Sequence, residues 1–497
     1  MTGESVLVGV DAGLTRLKAV AVTGSGELLA SASAPTPGAD GDADQDALWT
    51  ATAELIAAVL DDAVEPDAVA GVGVAGHGHG LYALDGAGEP VCGVRSTTDR
   101  ASGLLAEWRA DGRLERASDQ LGWEPFGADP YSLLGWFDRE RPATADRIDT
   151  VLFCKDVLAY RLTGSRTTDP MDGSALVPPG GDVEGVLETL GLADYADAVP
   201  GRVDSTAACG AVTEAAAAET GLPEGTPVAA GLHDVGACAL GAGVVSPGQA
   251  TAILGTWGQS VVVVDGPDAG AGGLPRRYLD GWLRYRGTRA GAACLDWFVE
   301  AFGDHWRATA SERGVDPYTV YEERVGAVPP GANGVLFRPY LNGSTDDPDA
   351  RGGFHGLGLD TDRADLLRAV YEGVATALAL GIDDFGVDVT DLRVTGGGAR
   401  SPLWTRLLAD LSGEPVRVPA GEEMGARGAA ICAGVAAGRY ADVDEAVSEA
   451  VGVRRTHEPT PERVERYRAV ADAFRELDRR LGEAGDLPNT SSSPERR

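Results

Sequence analysis

Residues 5–24 read SVLVGVDAGLTRLKAVAVTG: two apolar runs separated by a short polar turn. The first run, Val6-Leu7-Val8-Gly9-Val10, has the continuous hydrophobicity of a buried strand. Asp11 and Gly13 end it, Ala19-Val20-Ala21-Val22 returns, and Thr23-Gly24-Ser25-Gly26 closes the unit. The stretch therefore predicts a β-hairpin that carries Asp11, Gly13, Thr15 and Lys18 at its turn. A glycine lets the backbone come close to an anion, Thr15 brings a hydroxyl, Lys18 a positive charge, and Asp11 a metal-binding carboxylate. That set suits the phosphates of a magnesium nucleotide. The same residues also fit an ordinary edge hairpin, because a short motif is a hypothesis about its context.

The chain of 497 residues exceeds what one hydrophobic core usually serves, so two or more domains are expected. Apolar content of 43% is that of a globular protein, but 76 acidic residues against 42 basic ones leave a net charge of −34. Such a surface repels nucleic acid and anionic membranes. It also predicts a cytoplasm at molar salt, where the screening length is about 3 Å. Lys18 and Lys155 are the only lysines, the remaining 40 basic residues being arginine. The survival of one in the opening hairpin and one in Cys154-Lys155-Asp156 marks both places for attention. Six cysteines lie scattered with no CxxC spacing, which predicts neither a disulfide framework nor a zinc site and fits a reducing compartment. No leader pattern precedes the first strand, and no apolar run reaches the roughly 18 residues of a membrane span. A cytoplasmic protein is expected.

Along the chain, a third antiparallel strand is predicted at 27–32 and a helix at 46–63, with Leu48, Leu55, Ile56 and Val59 on one face and Thr52 between them. The strand at 69–75 leads into Gly76-His77-Gly78-His79-Gly80. Gly71, Gly73 and Gly76 satisfy the GxGxxG spacing of dinucleotide-binding proteins. That motif needs a helix N-terminus after the glycines to hold the pyrophosphate. The following GHGHGLYALDGAG alternates like another strand, so the Rossmann reading is rejected. Neither lysine follows a glycine, which excludes a P-loop. His77 and His79, two apart at a strand end, are expected to face one cleft, where they suit a polyhydroxylated ligand better than a metal.

Helical periods follow at 102–117, 130–139 and 153–162, with Asp169 and Asp172 in the loop beyond. A buried strand at 228–232 runs into His233-Asp234-Val235-Gly236. Asp234, a carboxylate at a strand end, reads as a general base or as a helix N-cap. The pattern then restarts. Residues 250–266 are strand, glycine turn, strand, turn, and repeat the opening hairpin with Thr256 near the place of the acid. This echo predicts two similar α/β domains of about 245 residues facing each other across a cleft, where ligand sites are frequent. Helices at 290–302, 362–386 and 426–437, a strand at 391–395 ending in Gly396-Gly397-Gly398, and a helix from Ser401-Pro402 complete the second half. A surface helix at 464–482 and a disordered tail at 483–497 end the chain.

In this order the elements resemble the FGGY family of carbohydrate kinases, over residues 6 to about 480. The resemblance rests on DAGLTRLKA, GHGHGLYALD, KDVLAYRLTG, GLHDVGACALG, GTW, TGGGARSPLWTRLLAD and EEMGARGAA. It implies the two-domain actin/Hsp70-like (ribonuclease H-like) ATPase fold with an interdomain cleft. Residues 1–245 would form the sugar and base side and residues 246–482 the nucleotide side. It further implies ATP and Mg²⁺ as cofactors, a small sugar as substrate and a homodimer as assembly. By the family pattern Asp11 would hold Mg²⁺ largely through water, and Thr15 and Lys18 would meet the phosphates. Asp234 would be the catalytic base, and His77, Gly78 and His79 would stand at the sugar. Thr256 would contact the terminal phosphates from the other domain, with Gly291, Gly397 and Ser401 near the adenosine.

Where many members have an Asp, two places before an Arg, this chain has Thr98, and Asp99 comes one place late; no sugar contact is assigned to that loop. Leu14 and Arg16 replace smaller hydroxyl residues of many members. GTW and the GHG-x-GLY wording lean toward L-xylulose kinase-like members, so a ketopentose such as xylulose or L-xylulose is the expected acceptor. Two other classes share the fold: a catalytically silent sugar- or nucleotide-binding regulator, and an actin- or chaperone-like ATPase.

Overall fold

The computed structural model describes residues 5–38, 41–61, 64–344, 347 and 350–484. The opening hairpin forms as expected. Strand β1 (Val6–Ala12) pairs antiparallel with β2 (Arg16–Thr23), with Asp11 opposite Lys18. β3 (Leu28–Pro35) adds antiparallel to β2. Helix α1 (Gln45–Asp61) crosses over to β4 (Val69–Gly76), which lies parallel to β1. Leu48, Leu55, Ile56 and Val59 are buried on the inner face of α1. Thr52 is buried with them because its hydroxyl donates to Leu48 O at 2.8 Å. β5 (Ala208–Ala211) and β6 (Pro227–His233) complete a six-stranded sheet of order β5-β6-β4-β1-β2-β3.

The second sheet repeats this plan. β7 (Gln249–Leu254) and β8 (Gly258–Val264) form its central hairpin, flanked by β9 (Leu274–Tyr278) and β10 (Gly281–Thr288) on one side. β11 (Asp391–Thr395), β12 (Val416–Pro419) and β13 (Val453–His457) lie on the other, in the order β9-β10-β8-β7-β11-β12-β13. The run β3-β2-β1-β4-β6 and the run β10-β8-β7-β11-β12 have identical pairing senses. The internal echo is therefore a structural duplication with ribonuclease H-like topology in each half. Its register corrects one detail. Asp11 sits one pair from the end of its hairpin, and Ile253 holds that place in the second; Thr256 lies beyond it, in the loop.

Between the sheets lie two small-residue helices, α3 (Asp234–Gly241) and α6 (Met424–Ala436). α2 (Cys154–Thr163) packs behind the first sheet. α4 (Arg363–Asp383) and α5 (Pro402–Ser412) pack on the second. The contact of α6 with the first sheet is backbone-close. A Cβ on Gly9 would stand 1.9 Å from Ala426 O, one on Gly73 1.9 Å from Ala429 O, and one on Gly428 1.9 Å from Ala237 O. Gly71 and Gly73 of the apparent dinucleotide motif are thus packing glycines, and a strand (Leu81–Leu84), not a helix, follows β4. One apolar cluster runs from Leu7 and Val20 through Leu240, Ala429 and Ala433 to Val261 and Leu283, joining both sheets.

Some local expectations shift. The helix expected at 102–117 is two helices, Ser102–Ala110 and Arg113–Leu121, broken at Gly112 with φ +78°. The helix expected from 290 begins at Ala293, because Gly291 N and Ala292 N donate to Thr256 O and Gly255 O (2.7 and 2.8 Å). Asp172 lies in a helical turn, Pro170–Gly173, which Asp169 caps through Met171 N and Asp172 N. The C-terminal helix extends over Pro461–Ala484, so it includes the first two residues of the expected tail; the rest, 485–497, lies outside the described residues. All six cysteines are free. No helix of the described residues is long and apolar enough to cross a membrane.

Candidate active site

The carboxyl ends of β1, β4 and β6 bring together the residues singled out in the first half. Asp11 projects near the end of β1, where α6 begins: a Cβ on Gly425 would stand 2.3 Å from Asp11 Oδ2. Asp11 Oδ1 is buried and has no hydrogen-bond partner among the described residues. Burial, reinforced by the nearby Asp234 charge, pushes its pKa up to about 7. Across the hairpin, Lys18 Nζ pairs with Glu423 Oε2 at 2.6 Å. Glu423 precedes α6 in a left-handed conformation (φ 57°, ψ 53°) that is costly for a residue with a Cβ. Sequence reasoning missed Glu423. Its partner Lys18 therefore stands beside Asp11 with its charge shared with the second half of the chain. Thr15 is exposed in the turn.

Asp234 is the first residue of α3, and His233 ends β6 immediately before it. His233 Nε2 lies 3.1 Å from Asp234 Oδ1, and that oxygen also accepts from Val235 N at 2.7 Å. The cap position belongs to His233, and among the described residues Asp234 Oδ1 meets only the flanking His233 and Val235, so the N-cap reading of Asp234 is corrected. The side chain of Asp234 is 30% exposed. Burial raises its pKa, but the His233 imidazole, with help from His77, outweighs it and holds the carboxyl below the usual range. His233 is raised in turn: burial disfavours its charge, and the Asp234 carboxylate more than restores it. Sequence reasoning quoted His233 only as part of a run. Its adjacency to Asp234 at a strand-to-helix junction was the available signal.

His77, Gly78 and His79 follow β4. His77 N continues the ladder to Ala12 O (2.9 Å), and its Nε2 meets Tyr82 OH at 2.9 Å. Burial lowers its pKa to about 4, so the ring is neutral. Gly78 packs under His233, whose Nε2 lies 2.2 Å from where a Cβ would be. His79 takes φ +57°, and its Nε2 meets Tyr285 OH at 3.0 Å. Its Nδ1 is 3.7 Å from Asp129 Oδ1. The strand ends at Gly76 and His79 turns left-handed, so the two histidines do not share an orientation as strand alternation implied; each takes a tyrosine of its own. Both still border His233, with the His79 and His233 rings 6.2 Å apart.

Tyr285 and Arg276, from β10 and β9 of the second sheet, reach into this histidine group and were not foreseen. Neither were Trp123 and Asp129. Beneath the group, Lys155 is fully buried among three carboxylates. It pairs with Asp156, with Asp169 Oδ1 at 3.0 Å and with Asp172 Oδ2 at 3.6 Å. Asp172 feels burial first, is raised to about 7, and lies near His233. The second rare lysine is thus a charge hub under the site.

The remaining predicted residues gather at the ends of β7 and β11. Thr256 is exposed in the β7–β8 loop, and its carbonyl accepts from Gly291 N. A Cβ on Gly291 would stand 2.5 Å from Gly258 N, so only glycine fits that turn. Gly397 is exposed at the start of a short 3₁₀ helix (Gly397–Arg400), and its neighbour Gly396 lies against Leu254. Ser401 caps α5 by accepting from Trp404 N at 3.1 Å and donates to Glu322. Glu322 is a further residue that sequence reading passed over.

Residues 6–241 match the N-terminal domain, and residues 250–437 the C-terminal domain, of the FGGY family of carbohydrate kinases. The L-xylulose/3-keto-L-gulonate kinase of Escherichia coli (strain K12) is 29% identical over 456 residues, covering 88% of this chain and 89% of that protein. The autoinducer-2 kinase of Yersinia enterocolitica is 29% identical over 503 residues, covering 94% and 93%. Among solved structures, the xylulose kinase from Rhodospirillum rubrum superposes with a TM-score of 0.85 at 26% identity, over 96% of this chain and 99% of that one.

Proposed function

Because the chain belongs to the FGGY family of carbohydrate kinases, with the two-domain actin/Hsp70-like fold, it is a sugar kinase, and we propose that it phosphorylates a hydroxyl of a ketopentose such as xylulose or L-xylulose with Asp234 as general base. FGGY sugar kinases take the phosphoryl group from ATP. The observation that carries the proposal is the setting of Asp234: a partly exposed carboxylate at the mouth of the His77–His79 group, kept ionised by His233. A sugar hydroxyl scarcely ionises at neutral pH. Asp234 takes its proton as the new O–P bond forms and the bond to ADP breaks, and an aligned base of this kind contributes about 10²–10⁴ in rate. The leaning toward a ketopentose is supported by the Escherichia coli relative, an L-xylulose/3-keto-L-gulonate kinase.

The donor set at Asp11 fits a magnesium ion. No group of three or more His, Cys, Asp or Glu residues placed to hold a metal occurs among the described residues. The unpartnered, buried Asp11 oxygen suits an ion that keeps most of its water and takes one or two carboxylates. Bound there, Mg²⁺ would neutralise phosphate charge. Thr15 and Lys18 would meet the same phosphates, Lys18 by exchanging Glu423 for them. Thr256 would contact the terminal phosphates, and Gly291, Gly397 and Ser401 would stand near the adenosine. In this reading residues 1–245 form the sugar and base side and 246–482 the nucleotide side, with Tyr285 and Arg276 crossing to the sugar. A homodimer in the cytoplasm at high salt completes the proposal.

The test is coupled ADP release in molar KCl with Mg-ATP, over ketopentoses, ketohexoses, polyols and glycerol, for wild type and Asp234→Asn. One sugar that stimulates wild type but not the variant supports the proposal and names the acceptor. Equal activity of both proteins removes Asp234 as the base.

A further inference from the structure

Arg276 is 2% exposed, yet it forms no ion pair among the described residues. Its guanidinium lies over the Trp123 ring, 4.6 Å from the centroid. Nη1 donates to the adjacent Pro275 O at 3.0 Å, while Nη2 is buried and has no hydrogen-bond partner among the described residues. Trp123 Nε1 donates to Asp129 Oδ2 at 3.3 Å. The other oxygen of Asp129, also buried and unpartnered, faces His79 Nδ1 at 3.7 Å, and His79 joins Tyr285. Arg276 thus stands in the wall of the histidine group, brought there from the second sheet, with one donor unused, and Trp123 links it to Asp129, whose second oxygen has only the long contact to His79.

A buried cation with no counter-charge is costly, and stacking on an indole does not satisfy an N–H. Arginine donates and never accepts, so the missing partner is an acceptor oxygen. Asp129 needs the opposite, an O–H donor. A hydroxy-ketone presents both on neighbouring carbons: the carbonyl accepts and the hydroxyl donates. A carboxylate beside a hydroxyl does the same. A polyol offers only hydroxyls, and the one set against Arg276 must place its own hydrogen elsewhere in a crowded pocket.

We propose that Arg276 recognises the oxidised group of the sugar, a ketone carbonyl or a carboxylate, with Asp129 accepting from the adjacent hydroxyl, and so selects keto-sugars and sugar acids over polyols. The inference rests on the sugar-kinase reading of the His79 site and gives that reading a substrate class.

The test compares wild type, Arg276→Gln and Arg276→Lys on D-xylulose, L-xylulose, xylitol and 3-keto-L-gulonate. It reads kcat/KM where a compound turns over and calorimetric Kd where it does not. Loss of one charged hydrogen bond predicts a fall of about 10- to 100-fold for the oxidised sugars in Arg276→Gln and under about 3-fold for xylitol. Thermal unfolding and Mg-ATP binding serve as folding controls, and Arg276→Lys, which keeps the charge, carries the comparison if the glutamine variant does not fold. A loss confined to 3-keto-L-gulonate assigns the contact to a carboxylate, and a loss shared with the xyluloses assigns it to the carbonyl. Equal loss on xylulose and xylitol overturns the role of Arg276 while leaving the kinase intact. Wild type that neither binds nor turns over any of the four overturns the keto-sugar reading itself.

Discussion

Replacing His233 by glutamine should move the acid limb of the kcat/KM profile upward without abolishing turnover at high pH. His233 Nε2 is 3.1 Å from Asp234 Oδ1. At that distance two unit charges interact by about 5 kcal/mol at an effective dielectric constant near 20. The figure is an upper bound for a carboxylate that is 30% exposed and for an imidazole that is only part-charged near neutrality. A quarter to a half of it, about 1.4–2.7 kcal/mol, is the attraction the variant gives up, and the acid limb moves upward accordingly. The sign follows from the direction of the shift. Asp234 is held below the usual carboxylate range, so the base is lost only when pH falls through that low value. Without His233, burial is opposed only by His77 and the Val235 N–H, and the loss begins at higher pH. The assay is coupled ADP release from pH 4.5 to 9 for wild type and His233→Gln, with circular dichroism at each pH to confirm folding. A variant whose rate falls by the same factor at every pH would refute the reasoning, because His233 would then act only by packing over Gly78.

The close approach of α6 to the first sheet makes Gly73→Ala destabilising by at least the 1–3 kcal/mol of a typical overpacked core, read as a fall in Tm; an unchanged Tm would contradict that contact. Lys155→Met leaves three carboxylates buried together and should cost about 3–5 kcal/mol at pH 7. Asp172 is already raised from 3.8 to about 7 in the folded protein, so its ionisation costs stability progressively as pH rises between those values and the cost is complete above about 7. The variant should therefore be less impaired at pH 5 than at pH 8 in denaturant titrations, and the reverse order would count against the hub. With a net charge of −34, Tm should climb steadily from 0.1 to 2 M KCl as the screening length shrinks from about 10 Å toward 3 Å and below; a flat curve would remove the high-salt reading.

Both central hairpins and the strand-to-helix unit at Asp234 could be read in the sequence because each is a local pattern: an apolar run, a glycine turn, a second run. The duplication followed from recognising that pattern twice. What could not be read depends on side chains that converge from distant segments. Tyr285 and Arg276 belong to alternating strands that look like any other strand, and only the meeting of the two sheets brings them to His79. Asp129, before Pro130, reads as a helix start. Glu423 belongs to a motif whose glycines drew attention first. The divergence of His77 and His79 arose from one left-handed residue, which period-2 reasoning does not anticipate. Gly71 and Gly73 imitated a nucleotide motif because a close-packed helix asks for the same residue as a close-packed phosphate.

The position of α6 also bears on how the protein is made. The first sheet is complete in sequence at His233, but the helix that lies on Gly9 and Gly73 begins at Met424. At a ribosomal pace of about 5–20 residues per second, roughly ten to forty seconds separate residue 245 from residue 424. During that interval the face of β1 and β4 lacks α6, and Leu7, Val20 and Ala75 have only part of their final neighbours. Until then the nascent first half exposes apolar surface of the kind that aggregates or that chaperones bind. It gains its lasting form only when the end of the chain returns to it.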